Sequence, residues 1–400
     1  MLFSHNEYTN RLQRTKERME EAGVDVLLLT NPSNINYLSG YDGWTFYVDQ
    51  MLLVFSDEKQ PVWVGRLMDA KAAKLTTWLD DDNIIPYGDK YIHSSVRHPM
   101  EFVGDVLTQF GYGTKRIGLE MESYYFSALC YEKLRNRLPD ATFLDASLLV
   151  NWVRLIKSDL EIEYMKTAGK IVEKGMTSAI DAIQSGARQC DAAGSIYQSL
   201  ISGTKEFGGD YPAIVPLIPT GEGTSTPHLT WTDRSFKHGE MTIIEIAGCY
   251  NRYHSPLART VSLGKPDPRM EYVSNVVVEG INAALDIVKP GIYVEEIEAA
   301  WRNVISRHGI EKESRIGYAM GLSYPPDWGE HTVSIREGDK TVLQPNMTFH
   351  MIPGIWLDDS GVELSESFRV TNEGCEVLAD FPRELVVKED GYIDPWNQYA

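Results

Sequence analysis

The sequence predicts two domains: an α/β N-terminal domain with a mixed sheet over residues 1–157, and an α+β C-terminal domain with an antiparallel sheet over residues 158–400. Three observations predict this. Short apolar runs alternate with helical patterns before residue 158. A long helix with one apolar face opens at Ser158. Beyond it, helical patterns are interleaved with strand-rich segments.

The elements follow in order. Residues 6–22 are polar with scattered apolar positions, as in a surface helix. VDVLLLT (24–30) is an apolar run stopped by Asn31-Pro32, which reads as a buried strand. MLLVFS (51–56) and VWVGR (62–66) flank DEKQP and read as a hairpin, and IGLEM (117–121) as a further strand. Ser158-Asp-Leu-Glu161 has capping-box spacing, in which hydroxyl and carboxylate satisfy each other's backbone N–H groups. Ile162, Met165, Ala168, Val172, Met176, Ala179 and Ile183 then recur at steps of 3, 3, 4, 4, 3 and 4, one face of a helix. Two more helices are expected at 268–288, stopped by Pro290-Gly291, and at 293–308. Strands are expected within 211–221, 241–263, 346–356 and 361–371. There is no short-period repeat and no low-complexity tract.

The 400 residues include 38 basic and 57 acidic side chains, a net charge of −19. Nucleic acid is a poor partner for such a chain, because phosphate binding needs clustered Lys and Arg. The excess favours solubility and fits a salt-adapted cytoplasm. Cys130, Cys190, Cys249 and Cys375 form no C-x-x-C pair and are too sparse for a disulfide framework, so buried thiols are expected. No signal peptide and no apolar stretch of about 18 residues is found, so a cytoplasmic protein without a membrane span is expected.

Four segments carry chemistry. TGEGTSTPHLTWTDR (220–234) is a Gly/Thr/Ser-rich loop with one histidine, His228, of a kind more often found at the surface than in catalysis. IIEIAGCYNRYHSPLART (243–260) puts Glu245 inside an apolar strand, where a carboxylate is costly unless paired or functional. A partly exposed strand edge is the competing reading. GYAMGLSYPPDWGEH (317–331) reads as a glycine-rich aromatic loop. In MTFHMIPGIWLDDSGVELSESFRVTNEGCEVL (347–378), Glu363 and Glu366 stand three apart on a strand. They therefore face opposite sides, so at most one enters a given pocket.

These segments, with NPSNINYLSGY (31–41) and RLIKSDLEIEYMKTAG (154–169), resemble the creatinase, aminopeptidase P and prolidase family over almost the whole chain. The resemblance implies the family's "pita-bread" C-terminal domain. It also locates where the metal ligands of the family's peptidases would stand. Glu245 falls at the first Asp, Pro256 at the second Asp, Tyr318 at the metal His, Ile352 at the Glu of the E-P-G turn and Ser365 at the last Glu. Proline and isoleucine cannot ligate a divalent ion through their side chains, and one carboxylate remains of the set. No metal and no other cofactor is therefore expected. His228 falls on the family's catalytic His.

A neutral peptide carbonyl needs a Lewis acid, whereas an amidinium brings its own charge and is attracted by carboxylates. The resemblance is closest to a metal-free branch of the family that hydrolyses ectoine, a cyclic amidinium carboxylate, with hydroxyectoine left open. Creatinase has a Glu before its Arg-Thr, where this chain has Ala258, and a Gly-His turn where it has Gly317-Tyr318. The implied roles are base or nucleophile for Glu245, amidinium binding and proton shuttling for Glu363, and proton transfer to the leaving nitrogen for His228. Substrate contacts are assigned to Tyr318, Trp328 and His331, and to Tyr41, Trp44 and Tyr47 of the first domain, with packing as the alternative for each aromatic. Arg259 fits a structural ion pair equally well. A homodimer is implied by the family. A creatinase-like amidinohydrolase, an Xaa-Pro peptidase and a non-enzymatic binding protein are the competing functions.

Overall fold

A computed structural model describes residues 1–389, and the chain forms two compact units, Met1–Arg154 and Leu155–Ala400. The first unit holds six helices: α1 (His5–Glu21), α2 (Pro32–Ser39), α3 (Ala70–Thr76), α4 (Pro99–Gln109), α5 (Ala128–Arg137) and α6 (Leu149–Arg154). Its strands are β1 (Val26–Leu29), β2 (Met51–Phe55), β3 (Val62–Arg66), β4 (Ile84–Tyr87), β5 (Arg116–Leu119) and β6 (Thr142–Asp145). They form one six-stranded sheet in the order β4-β3-β2-β1-β5-β6. The sheet is mixed: β1–β2 and β2–β3 are antiparallel, and β1–β5, β3–β4 and β5–β6 parallel. The DEKQP turn thus joins an antiparallel pair, as its composition predicts. Buried side chains of β1, β2, β3 and β5 pack with Met100, Val103 and Leu107 of α4 and Leu134 of α5.

In the second unit, α7 (Asp159–Ala182) begins where the capping box predicts. Ser158 Oγ accepts from Glu161 N at 3.4 Å, and Ser158 N donates to Glu161 Oε2 at 2.8 Å. The other helices are α8 (Gln189–Ser202), α9 (Pro268–Asp286) and α10 (Val294–Arg307). An eight-stranded sheet is built on the long hairpin of β7 (Met241–Tyr250) and β8 (Tyr253–Leu263). It continues through β9 (Gly317–Tyr324), β10 (Asp327–Ile335), β11 (Thr348–Met351), β14 (Glu366–Val370) and β15 (Cys375–Val377). All these pairings are antiparallel; β16 (Val386–Lys388) joins β8 in parallel. A separate ribbon pairs β12 (Gly354–Trp356) with β13 (Gly361–Glu363).

Alternation along the hairpin assigns its two faces. Ile244 and Ile246 of β7, with Leu257, Val261 and Leu263 of β8, join a core with Ile171, Val172 and Met176 of α7 and Ile196 and Leu200 of α8. Glu245 and Ala247 point the other way, opposite Ala258 and Pro256.

Three sequence expectations need correction. Residues 211–221 form no strand and meet the β7 backbone through the isolated bridges Leu217↔Glu245 and Thr220↔Thr242 and a hydrogen bond from Ile243 N to the Pro219 carbonyl at 3.0 Å. Pro212, Pro216 and Pro219 lack the N–H groups a ladder needs. Residues 317–331, expected as a loop, lie largely in β9 and β10. Their glycines serve close packing: a Cβ on Gly317 would stand 2.6 Å from the His350 carbonyl oxygen. Finally, 361–371 is two strands interrupted at Leu364-Ser365, so Glu363 and Glu366 sit on different elements. None of the four cysteines forms a disulfide; Cys130 and Cys249 are buried, and Cys190 and Cys375 only half so. Among the described residues no helix is long and apolar enough to cross a membrane.

Candidate active site

The inward face of the β7–β8 hairpin carries the site. Glu245 is held in place by its backbone, which exchanges hydrogen bonds of 2.9 and 3.0 Å with Leu217. The segment 363–365 is sewn onto the facing strand. Thr260 Oγ1 accepts from Glu363 N at 2.9 Å and donates to the Glu363 carbonyl at 2.8 Å. Ser365 N donates to the Ala258 carbonyl at 3.1 Å, and Ala258 N donates to Ser365 Oγ at 2.7 Å. Because Ala258 lies directly opposite Glu245, these bonds bring Glu363 beside Glu245.

Both carboxyls are buried, at 6% and 1% exposure. Both Glu363 oxygens are shut away from solvent with no hydrogen-bond partner. Burial pushes the Glu245 carboxyl up to about 8, with the charge of Asp327 adding to the effect. Burial, and then the neighbouring Glu245, push Glu363 well above the ordinary carboxylate range, with Lys312 opposing. Two buried acids resist ionising side by side, and a cation beside them would favour both anions.

A buried polar chain runs alongside. Trp328 Nε1 donates to Tyr318 Oη at 2.8 Å, and Tyr318 Oη and His350 Nδ1 are 3.1 Å apart. His350 Nε2 lies 2.8 Å from Ser365 Oγ. Burial drives His350 down to about 3, so the ring is neutral and carries one N–H. The protons between Tyr318 and Ser365 therefore run in one direction or in the other, a relay between two hydroxyls. Burial also raises Tyr318 well above the ordinary phenol range, helped by the nearby Glu245. Asp327 behaves differently. Burial raises its carboxyl, but His331 and the Gly329 N–H bond to it and leave it below its ordinary value, a standing negative charge facing Glu245.

The sequence-derived residues thus separate. Glu245, Glu363, Tyr318 and Trp328 come together, and His331 is exposed and holds Asp327. His228 is exposed on the loop after Gly221–Ser225 and is not part of the buried chain. Tyr41 is buried in the first unit, its ring 5.2 Å from Trp63 and its hydroxyl 3.3 Å from Thr45 Oγ1. Trp44 and Tyr47 are exposed there. Glu366 serves the frame: it binds Arg259 at 2.8 Å and Arg383 at 3.0 Å, and Arg259 also donates to the carbonyls of Ser365, Phe381 and Pro382. His350, Asp327 and Lys312 escaped the sequence reading. The one signal for His350 was a histidine in the apolar run Thr348–Met351; Asp327 and Lys312 gave none.

The positions that bind metal in related peptidases do not fit a metal pair here. Glu245 shares its face with Pro256, Tyr318 is tied to Trp328 and His350, and Ser365 is tied to His350 and Ala258. Among the described residues, the only His/Cys/Asp/Glu group with donor atoms near enough for one ion is Asp49, His98 and Cys130 of the first unit. Its hydrogen bonds are already made: Cys130 Sγ to Asp49 at 3.4 Å, and Met100 N to His98 Nδ1 at 3.2 Å.

The profile of metallopeptidase family M24 matches residues 163–372, and that of the creatinase/prolidase N-terminal domain matches 11–156. This chain belongs to that family. It is a hydrolase. An ectoine hydrolase of Halomonas elongata is 46% identical over 393 residues, covering 96% of this chain and 98% of that protein. An uncharacterized hydrolase/peptidase of Sinorhizobium fredii is also 46% identical, with 97% and 99% covered. Among solved structures, a prolidase of Thermococcus sibiricus superposes with a TM-score of 0.82 at 21% identity, covering 95% of this chain and 99% of its own. At that identity the likeness speaks for the fold alone.

Proposed function

We propose that this hydrolase opens the cyclic amidine of ectoine without a metal ion, giving N-acetyl-L-2,4-diaminobutyrate. The observation that carries the reading is the buried pair Glu245 and Glu363, of which Glu245 stands at a position where the family's peptidases keep a metal ligand. The 46% identity to the Halomonas elongata ectoine hydrolase over nearly the full length supports it. A dinuclear metal site would repel an amidinium, whereas two carboxyls bind it.

On binding, the amidinium draws the protons off the pair and lies between two carboxylates. Glu245 then removes a proton from water attacking the amidine carbon, or attacks that carbon itself. One oxygen is added, one C–N bond breaks, and the departing nitrogen takes a proton. Glu363 holds the amidinium N–H and shuttles the proton. His228 keeps its place as the donor to the departing nitrogen, a role that requires its exposed loop to reach the pair. Tyr318 and Trp328 line the pocket. The reading includes the cytoplasmic location expected from the sequence and the homodimer that the resemblance implies.

The test is mass spectrometry of ectoine incubated with chelator-treated enzyme in ¹⁸O-water. Expected is N-acetyl-diaminobutyrate carrying one labelled oxygen at an undiminished rate, and none with E245Q. Absence of product, or activity that disappears on chelation and returns with zinc or manganese, refutes the proposal.

A further inference from the structure

The pocket has a second set of polar atoms awaiting partners, and it has the opposite sign. Trp356 Nε1 is buried with no hydrogen-bond partner, as are both oxygens of Glu363. The two residues are neighbours through the β12–β13 ribbon, in which Gly354 lies opposite Glu363. The indole of Trp356 folds back over Gly354, and a Cβ added there would stand 2.4 Å from the ring. That ring therefore lies on the Glu363 side of the ribbon, and only glycine leaves room for it. Over the same ring sits the Lys312 ammonium, 4.5 Å from the centroid and donating to Ser314 Oγ at 2.7 Å. A lone N–H donor and a cation thus stand beside a buried acid with two free acceptors. A bound molecule satisfies this arrangement if it offers N–H donors at one end and an anion at the other.

We infer that Lys312 and Trp356 Nε1 form the subsite for the substrate's carboxylate, while Glu363 and Glu245 take its amidinium. The inference rests on the amidine-hydrolase reading and deepens it, because it explains selection of a zwitterion over a simple amidinium. Lys312 is suited to this role, because burial lowers its ammonium to about 8, with Glu363 opposing the shift, so an anion meets a poorly hydrated cation. Arg315, three residues on, stacks on the Tyr318 ring at 4.7 Å and donates to Ser334 Oγ. The connection before β9 therefore sets a cation on each of two aromatic rings, Lys312 on Trp356 and Arg315 on Tyr318.

The test compares ectoine with 2-methyl-1,4,5,6-tetrahydropyrimidine, the same ring without its carboxylate, in wild type, K312M and K312R. Expected for K312M is a rise in KM for ectoine of about 10- to 100-fold, the usual worth of one charge-assisted hydrogen bond. The loss in kcat/KM should be at least tenfold greater for ectoine than for the carboxylate-free ring, and K312R should recover much of it. Equal effects on both compounds, or a change in kcat and its pH profile alone, would make Lys312 a regulator of Glu363 and overturn the inference. No effect of K312M on either compound overturns it as well. Wild-type enzyme that hydrolyses neither compound overturns the amidine-hydrolase reading itself, and the inference falls with it. Melting curves of the variants exclude misfolding as the cause.

Discussion

Replacing Glu245 by Gln probes the buried acid pair without any substrate. In the folded enzyme, burial and the Asp327 charge hold the Glu245 carboxyl at about 8, against an ordinary 4.5. Between these values the folded chain binds more protons than the unfolded one, so stability falls as pH rises. The stabilisation is complete below pH 4.5 and is lost as pH climbs through 8. Across that span it amounts to about 5 kcal/mol. Gln has the shape of the protonated acid and never ionises. E245Q should therefore match wild type at pH 5 and surpass it steadily toward pH 9. Glu363 loses a like-charged neighbour in the same variant, which acts in the same direction. For a unit of this size the difference corresponds to a Tm gap on the order of 10 °C at pH 9. Calorimetry of both proteins at pH 5, 7 and 9 and constant ionic strength measures it. A gap that does not vary with pH, or a wild type that gains on the variant in alkali, would refute the argument.

Other substitutions test the surroundings. Y318F removes a hydroxyl that accepts from Trp328 and bonds to His350. It should cost about 1–3 kcal/mol in urea unfolding and lower kcat more than it alters KM. E366Q breaks the buried pairing with Arg259 and Arg383, and should cost about 3–5 kcal/mol. An unchanged melting temperature would show that the buried guanidinium is neutralised elsewhere. S158A deletes the N-cap of α7 and should cost about 1 kcal/mol, with steady-state rates unaltered.

What was legible in the sequence was local. The start of α7 was readable because Ser158 and Glu161 satisfy each other within one turn, and the hairpin at 51–66 because its turn and strands are contiguous. The paired strands of 241–263 were visible as a strand-rich stretch. Glu245 stood out because a carboxylate in an apolar strand must be accounted for. Pairing it with Glu363 rested on family resemblance, since Thr260 and Ala258 bring the two together across more than 100 residues of chain. Lys312 stayed hidden for the same reason: nothing near it in sequence announces Trp356. The apolar residues of 211–221 suggest a strand, but its three prolines lack the N–H groups a ladder needs. Glycine suggests turning in the segment 317–331, whereas in β9 it makes room for a neighbouring strand.

The β7–β8 ladder keeps one unbroken register from Met241 opposite Ser262 to Tyr250 opposite Tyr253. Such a ribbon acts as a ruler with fixed marks. A slip by one residue would turn Glu245 toward the helices, so no gradual sliding can widen the gap for a bulkier ligand. Accommodation of a different substrate has to come from the connection between α10 and β9, which is free of that ladder and carries Lys312 and Arg315. Descendants of this enzyme with altered preference should accordingly differ there first, while the marks on the ruler stay put.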